Sequence, residues 1–231
     1  MLETKGLTLH YGASQILYGI DLVAKAGEVT CIMGTNGTGK TSFFKAVSGT
    51  HLRSGGTILL DGKEVPKVPP QGMATRGLGY VPQGRMIFPL LTVGENLATA
   101  YATLPKSEHR VPTEIYDLFP VLRDMDHRRG GDLSGGQQQQ LAIARAMIMR
   151  PKVLLLDEPT EGIQPNIIQQ IGRVIEYLKG KGGMAIILVE QYFDFAYGLA
   201  DQFYVLKRGA VHLEGRKDSL DRDVLRRTVS V

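Results

Sequence analysis

An α/β fold with a mainly parallel central sheet is what this 231-residue sequence predicts, and three observations carry that prediction. Short, almost wholly apolar runs recur at 29–33, 153–156 and 185–189, as strands covered on both faces require. Helix-compatible stretches separate them, and parallel strands need such crossovers. The first run leads directly into Gly34, Thr35, Asn36, Gly37, Thr38, Gly39, Lys40 and Thr41, which fits G-x-x-x-x-G-K-[ST] at every defined position. Strand, glycine-rich loop and helix start, in that order, make a P-loop.

The physical case for the P-loop is direct. Three glycines let the backbone bend until successive N–H groups point at phosphate oxygens, and the following helix start adds its partial positive charge. Lys40 would reach the β- and γ-phosphates, Thr41 offers a hydroxyl to Mg2+, and Ser42 can donate to a phosphate oxygen. The alternative is a glycine-rich strand-to-helix turn without a ligand. Four fixed positions in the right local context weigh against it.

Taken in order, 7–23 alternates apolar and polar residues about a turn at Gly12, Ala13 and Ser14, so two strands are expected. A helix over 41–47 should close at Gly49. Gly55 and Gly56 are expected to turn the chain into a strand at 57–60, which Asp61 and Gly62 turn back. The opening third thus reads as an antiparallel sheet wrapped around the P-loop strand. Pro66, Pro69 and Pro70 mark a loop; a strand at 78–81 then stops at Pro82, with Gln83 next on a loop. Thr92 and Glu95 have capping-box spacing for a helix start. About 90–150 reads as a helical lobe inserted into an α/β core, broken by Pro105, Pro112, Pro120 and the pair Gly130 and Gly131. Beyond it come the strand at 153–156, a helix at 165–179, the strand at 185–189, a hairpin around Lys207, Arg208 and Gly209, and a final amphipathic helix from near Ser219. The whole chain, 1–231, is read as one domain.

Composition limits the function. Hydrophobic content of 43% and charged content of 22% are ordinary for a water-soluble domain, and no apolar run approaches the roughly 18 residues needed to cross a bilayer. The first five residues contain no signal-peptide core, so the chain is expected in the cytosol unless a partner holds it at a membrane. A net charge of +4 is too small to argue for nucleic acid. The one cysteine, Cys31, lies in the strand feeding the P-loop and reads as core packing. Basic residues at 216–227 alternate with acidic ones and read as a solvated helix face.

Two further constellations carry chemistry. Leu156, Asp157, Glu158 and Pro159 place two carboxylates at the end of a buried strand. Asp157 would hold Mg2+, and Glu158, pointing the other way by strand alternation, would polarise the attacking water. Twenty residues before Asp157, Leu133, Ser134, Gly135, Gly136 and Gln137 begin a helix. Ser134 and Gln137 form a capping box, while Gly135 and Gly136 cost helix stability but let a phosphate approach the N-terminus. One P-loop and a second phosphate-binding helix start imply two nucleotides, or one shared between two copies.

This pentapeptide, the P-loop and the 156–159 segment resemble the ATP-binding cassette (ABC) family over nearly the whole chain. The resemblance implies an ATPase with ATP and Mg2+, in which Ser134, Gly135, Gly136 and Gln137 complete the ATP site of a facing subunit. Tyr11 would stack on adenine, an ordinary sheet tyrosine being the alternative. Gln83 is similar to the glutamine that touches Mg2+ and the attacking water while its loop contacts the membrane subunit. The sequence departs from the family at Gln164, where an aspartate is usual, and at Gln191, where the switch histidine would stand. Glutamine can hydrogen-bond a γ-phosphate, but it carries neither proton nor charge at neutral pH.

The departures at 161–165 and 191, with the segments 80–85 and 129–133, look like the second ATPase of branched-chain amino-acid and urea importers, and more closely the urea branch. That implies permease subunits in the membrane, a second ABC ATPase, an extracytoplasmic solute-binding protein, and a place at the cytoplasmic face. A mechanical ABC ATPase of DNA repair or translation is the reading from another class. The lack of a long heptad insertion or a second cassette opposes it. A small-molecule P-loop kinase would leave 133–137 without a purpose.

Overall fold

The computed structural model describes residues 1–229. Strands β1 (Leu2–Tyr11) and β2 (Ser14–Ala24) form a hairpin, β3 (Val29–Met33) feeds α1 (Lys40–Ser48), and β4 (Gly55–Leu60) pairs with β5 (Lys63–Val65). After α2 (Pro70–Ala74) and β6 (Leu78–Val81) come α3 (Val93–Ala98), α4 (Thr113–Leu118), α5 (Pro120–Asp124) and α6 (Gly135–Ile148). The chain then returns through β7 (Val153–Asp157), α7 (Pro165–Gly180), β8 (Ala185–Val189), α8 (Phe193–Leu199), β9 (Gln202–Lys207), β10 (Ala210–Arg216) and α9 (Arg222–Val229).

Two sheets result. One is antiparallel in the order β2-β1-β4-β5; the other runs β10-β9-β3-β8-β7-β6 and is parallel except for β10. Strands β3, β7 and β8 are buried at every residue, which explains their nearly unbroken apolar sequences. Their alternate residues feed different cores. Cys31, Leu154, Leu156, Ile186 and Leu188 pack with the helices α3, α6 and α7. Ile32, Val153, Leu155, Ile187 and Val189 pack with α1 and the antiparallel sheet. The larger sheet is therefore a middle layer, and its parallel strands end at one edge where the functional groups collect.

The capping box expected at Thr92 forms in both halves: Thr92 Oγ1 accepts from the Glu95 amide at 3.1 Å and Glu95 Oε2 from the Thr92 amide at 2.8 Å. Several expectations need correction. The P-loop strand β3 belongs to the parallel sheet, and the antiparallel sheet packs over it rather than around it. Gly55 and Gly56 lie inside β4; at Gly56, with φ +79°, a Cβ would come within 2.3 Å of the Gly6 carbonyl oxygen, so glycine here serves close backbone approach. Pro70 does not continue a loop but opens α2 at its first turn, where a missing N–H costs nothing. The last helix starts at Arg222, after a 3-10 turn at Lys217–Ser219. No helix among the described residues is long and apolar enough to cross a membrane.

Candidate nucleotide site

The P-loop leaves the end of β3 with Gly34, Gly37 and Gly39 all at positive φ. At Gly34 a Cβ would sit 2.5 Å from the Leu206 carbonyl oxygen, so no larger residue fits there. Gly39 precedes α1 without a side-chain cap, which leaves the first amide donors of the helix available. Lys40 is 5% exposed, and its ammonium donates to the carbonyl oxygens of Gly34 at 2.8 Å and Thr35 at 3.0 Å. Burial lowers its pKa, opposed by the charges of Glu158, Asp157 and Glu190. A buried cation facing a ring of N–H groups is suited to anionic oxygen.

Asp157 ends β7 and accepts from Thr41 Oγ1 at 3.5 Å and Tyr80 Oη at 3.3 Å. Burial, and then the charge of Glu158, push its carboxyl up to about 6, against the hydrogen bonds from Tyr80 and Thr41 and the charge of Lys40. This carboxylate is under-compensated by its protein neighbours. A dication beside the Thr41 hydroxyl would compensate it, so the donor set fits Mg2+. Among the described residues no group of three or more His, Cys, Asp or Glu side chains could hold a metal ion. Such an ion would have to share its ligands with phosphate, as Mg2+ commonly does.

Glu158 lies one residue past β7 in the left-handed region, with φ +48°. Its divergence from Asp157 thus comes from a strained backbone turn and not from strand alternation. Its two oxygens are held separately: Gln191 Nε2 donates to Oε1 at 2.7 Å and Gln83 Nε2 to Oε2 at 3.2 Å. Each oxygen keeps a further lone pair for a water. Gln83 also donates to Glu161 Oε2 at 3.1 Å. Tyr11, half-buried, meets Ser42 Oγ at 3.4 Å and stands edge-on to His51 at 4.7 Å between ring centroids.

A cavity of about 450 Å³ gathers Tyr11, Asn36, Gly37, Gly39, Lys40, Thr41, Ser42, Gln83, Glu158 and Gln191 into one wall, with Ile16 and Glu161. Gly34, Thr35 and Thr38 shape the loop behind it, where Thr38 Oγ1 donates to the Thr35 carbonyl at 2.8 Å. Ser134, Gly135, Gly136 and Gln137 are not part of this wall. Their capping box is complete, with Ser134 N donating to Gln137 Oε1 at 2.8 Å and Gln137 N to Ser134 Oγ at 3.4 Å. The two glycines also have packing reasons: a Cβ would come 3.0 Å from the Arg85 guanidinium at Gly135 and 3.0 Å from Ile167 at Gly136.

Tyr80, Glu161 and Glu190 were given no role in the site from sequence, although 80–85 and 161–165 carried the family resemblance. Tyr80 directly precedes Val81, Pro82 and Gln83, Glu161 follows closely on the acidic pair, and Glu190 ends the apolar run 185–189 with a charge, so each left a signal. A second hollow, of about 420 Å³, lies between α4 and the end of α7 and is walled by Ile115, Met147 and Leu178. Of the charged residues on its wall, Lys181 pairs with Glu114 at 2.7 Å and Arg150 with Glu108, so they neutralise one another, and the chemistry lies at the P-loop.

The family model described as "ABC transporter" matches residues 17–161. The chain is 38% identical over 212 residues to the high-affinity branched-chain amino acid transport ATP-binding protein BraG of Pseudomonas aeruginosa, covering 91% of each. It is 36% identical over 222 residues to the probable branched-chain amino acid transport ATP-binding protein LivF of Archaeoglobus fulgidus, covering 95% of this chain and 94% of that one. Among solved structures, an ATP-binding subunit of an ABC transporter superposes with a TM-score of 0.86 at 25% identity, each chain fully covered.

Proposed function

As this chain belongs to the ABC transporter family of ATP-hydrolysing subunits, we propose that it energises an importer whose cargo is urea. The observation that carries the hydrolytic part is Glu158, whose two oxygens are held by Gln83 and Gln191 at the mouth of the P-loop cavity. In this reading residues 1–231 form one ATP-binding domain with a helical part at about 90–150. The amides of 36–41 and the ammonium of Lys40 bind the phosphates, and Tyr11 stacks on adenine. Thr41, Asp157 and Gln83 would hold Mg2+, which would supply positive charge beside the transferred phosphoryl group. Glu158 takes the proton of the attacking water, Gln83 and Gln191 orient that carboxylate, and Gln191 senses the γ-phosphate.

Ser134, Gly135, Gly136 and Gln137, standing apart from the cavity, cap the ATP held by a second ABC subunit. Permease subunits hold the chain at the cytoplasmic face, and a solute-binding protein delivers the cargo to them. Urea rests on the likeness of 80–85, 129–133 and 161–165 to the urea branch. Import of branched-chain amino acids is the second reading, favoured by the names of the two relatives. The test is to purify the complex from membranes, reconstitute it in liposomes and measure ATP hydrolysis with urea or leucine and the binding protein. Stimulation by urea alone supports the first reading; stimulation by leucine alone replaces it with the second.

A further inference from the structure

Glu190 does not line the nucleotide cavity, yet it is only 2% exposed and carries a carboxyl group beneath it. An ionisable side chain so buried persists only when its oxygens are well satisfied. Its oxygens divide their bonds between two loops. Oε1 accepts from the Thr160 amide at 3.1 Å and the Thr160 hydroxyl at 2.7 Å, both two residues beyond Glu158. Oε2 accepts from the amides of Gln191 at 3.0 Å and Tyr192 at 3.2 Å.

We infer that Glu190 is a positioning residue for hydrolysis: one carboxylate oxygen fixes the loop that carries Glu158 and the other fixes the backbone of Gln191, so that base and sensor move as one unit. The inference rests on the roles proposed above for Glu158 and Gln191. The geometry closes a ring: Glu190 binds the loop after Glu158, Glu158 Oε1 binds Gln191 Nε2 at 2.7 Å, and the Gln191 amide returns to Glu190. Glu158 sits at φ +48°, a conformation that surrounding contacts must hold in place. The bond from the Glu158 amide to the Val189 carbonyl, at 2.9 Å, joins the same two strand ends but fixes neither loop beyond them.

Neutral glutamine has the same shape but only one acceptor oxygen. In Glu190→Gln that oxygen can serve one loop, while the new NH2 confronts the N–H donors of the other. The experiment measures kcat and KM for ATP, and ATP affinity, in the membrane-purified complex carrying Glu190→Gln, Glu190→Ala or Thr160→Val. Hydrogen exchange at 160, 191 and 192 is followed in parallel. Displacement of a catalytic group by about an ångström costs on the order of 100-fold. Glu190→Ala should therefore lower kcat by roughly 10- to 100-fold, with KM and ATP affinity within about threefold of wild type. Glu190→Gln and Thr160→Val should fall between. Exchange should accelerate at 160, 191 and 192 and not in the P-loop. Added to Gln191→Ala, the Glu190→Ala change should cost less than it does alone, because both act through one group.

If Glu190→Ala does not fold, Glu190→Gln, which keeps the packing, decides the matter by the same split. A wild-type kcat in Glu190→Gln, or a parallel loss of kcat and ATP affinity, overturns the positioning role and leaves the proposed function intact. A wild-type complex that binds ATP without hydrolysing it overturns both.

Discussion

Replacing Asp157 by asparagine should stabilise the metal-free chain while abolishing ATP turnover, and the structure sets the size of the gain. The carboxyl is 1% exposed, beside Glu158, and is held up to about 6 from its ordinary 3.8. At about 1.4 kcal/mol for each tenfold change in proton affinity, ionising Asp157 costs the native state about 3 kcal/mol at pH 7.5. The sign follows from proton binding. Between the unfolded and folded values the native chain holds more protons than the unfolded one, so stability is full below about pH 4 and declines until about pH 6. Asparagine has no such charge and can still accept from Tyr80 or Thr41, so after imperfect replacement of those bonds the net gain is about 1–3 kcal/mol. Guanidinium unfolding of both proteins in a chelator, from pH 4.5 to 7.5, reads this directly. The advantage of Asp157→Asn should be smaller at pH 5 than at pH 7.5 by about 1.4 kcal/mol. A mutant less stable than wild type at pH 7.5, or a difference independent of pH, refutes the reasoning.

Gln191→Ala removes the 2.7 Å bond to Glu158 and should lower kcat by about 10- to 100-fold, whereas Gln191→His should keep activity and acquire a pH dependence near neutrality; steady-state kinetics from pH 6 to 8.5 checks both, and an alanine variant indistinguishable from wild type leaves the position without a role. In a Glu158→Gln background, ATP should produce a closed pair of cassettes that Ser134→Arg abolishes. Light scattering on the isolated chain and on its mixture with a partner cassette tests this, and a mass unchanged by ATP in both samples counts against a shared site. Asn96, 0% exposed, ties down the loop ahead of α3: its Oδ1 accepts from the Phe88 amide at 2.8 Å, and its Nδ2 donates to the carbonyls of Phe88 at 2.9 Å and Leu91 at 3.2 Å. Asn96→Ala should cost about 2–4 kcal/mol in guanidinium unfolding, and a loss below about 0.5 kcal/mol would contradict that anchoring.

What could be read without coordinates was whatever local chemistry decides. Strands β3, β7 and β8 were legible because burial on both faces makes their sequences nearly all apolar. The starts of α3 and α6 were legible because each capping box closes within four residues. Helix α8 was not, since seven residues with three buried positions give little periodicity and Tyr192 provides no side-chain cap. Gly55 and Gly56 misled because the contact that needs Gly56, the Gly6 carbonyl, comes from a strand 50 residues earlier. Asn36, Gly37, Gly39, Lys40, Thr41, Ser42 and Glu158 were legible from motifs, and Tyr11, Gln83 and Gln191 through the family resemblance; all ten line one cavity. Glu190 was not legible, because its meaning depends on Thr160, 30 residues away. The left-handed turn at Glu158 was equally hidden, since nothing in a glutamate's identity announces a positive φ.

Phosphate release by the membrane-purified complex carrying Glu158→Gln, measured beside its ATP affinity, tests the role of Glu158 most directly. Glutamine keeps the shape and can still accept from Gln83 or Gln191, but it cannot take a proton from water. Turnover should fall at least about 100-fold while ATP binds as tightly as in wild type. Turnover within about twofold of wild type would show that another group activates the water.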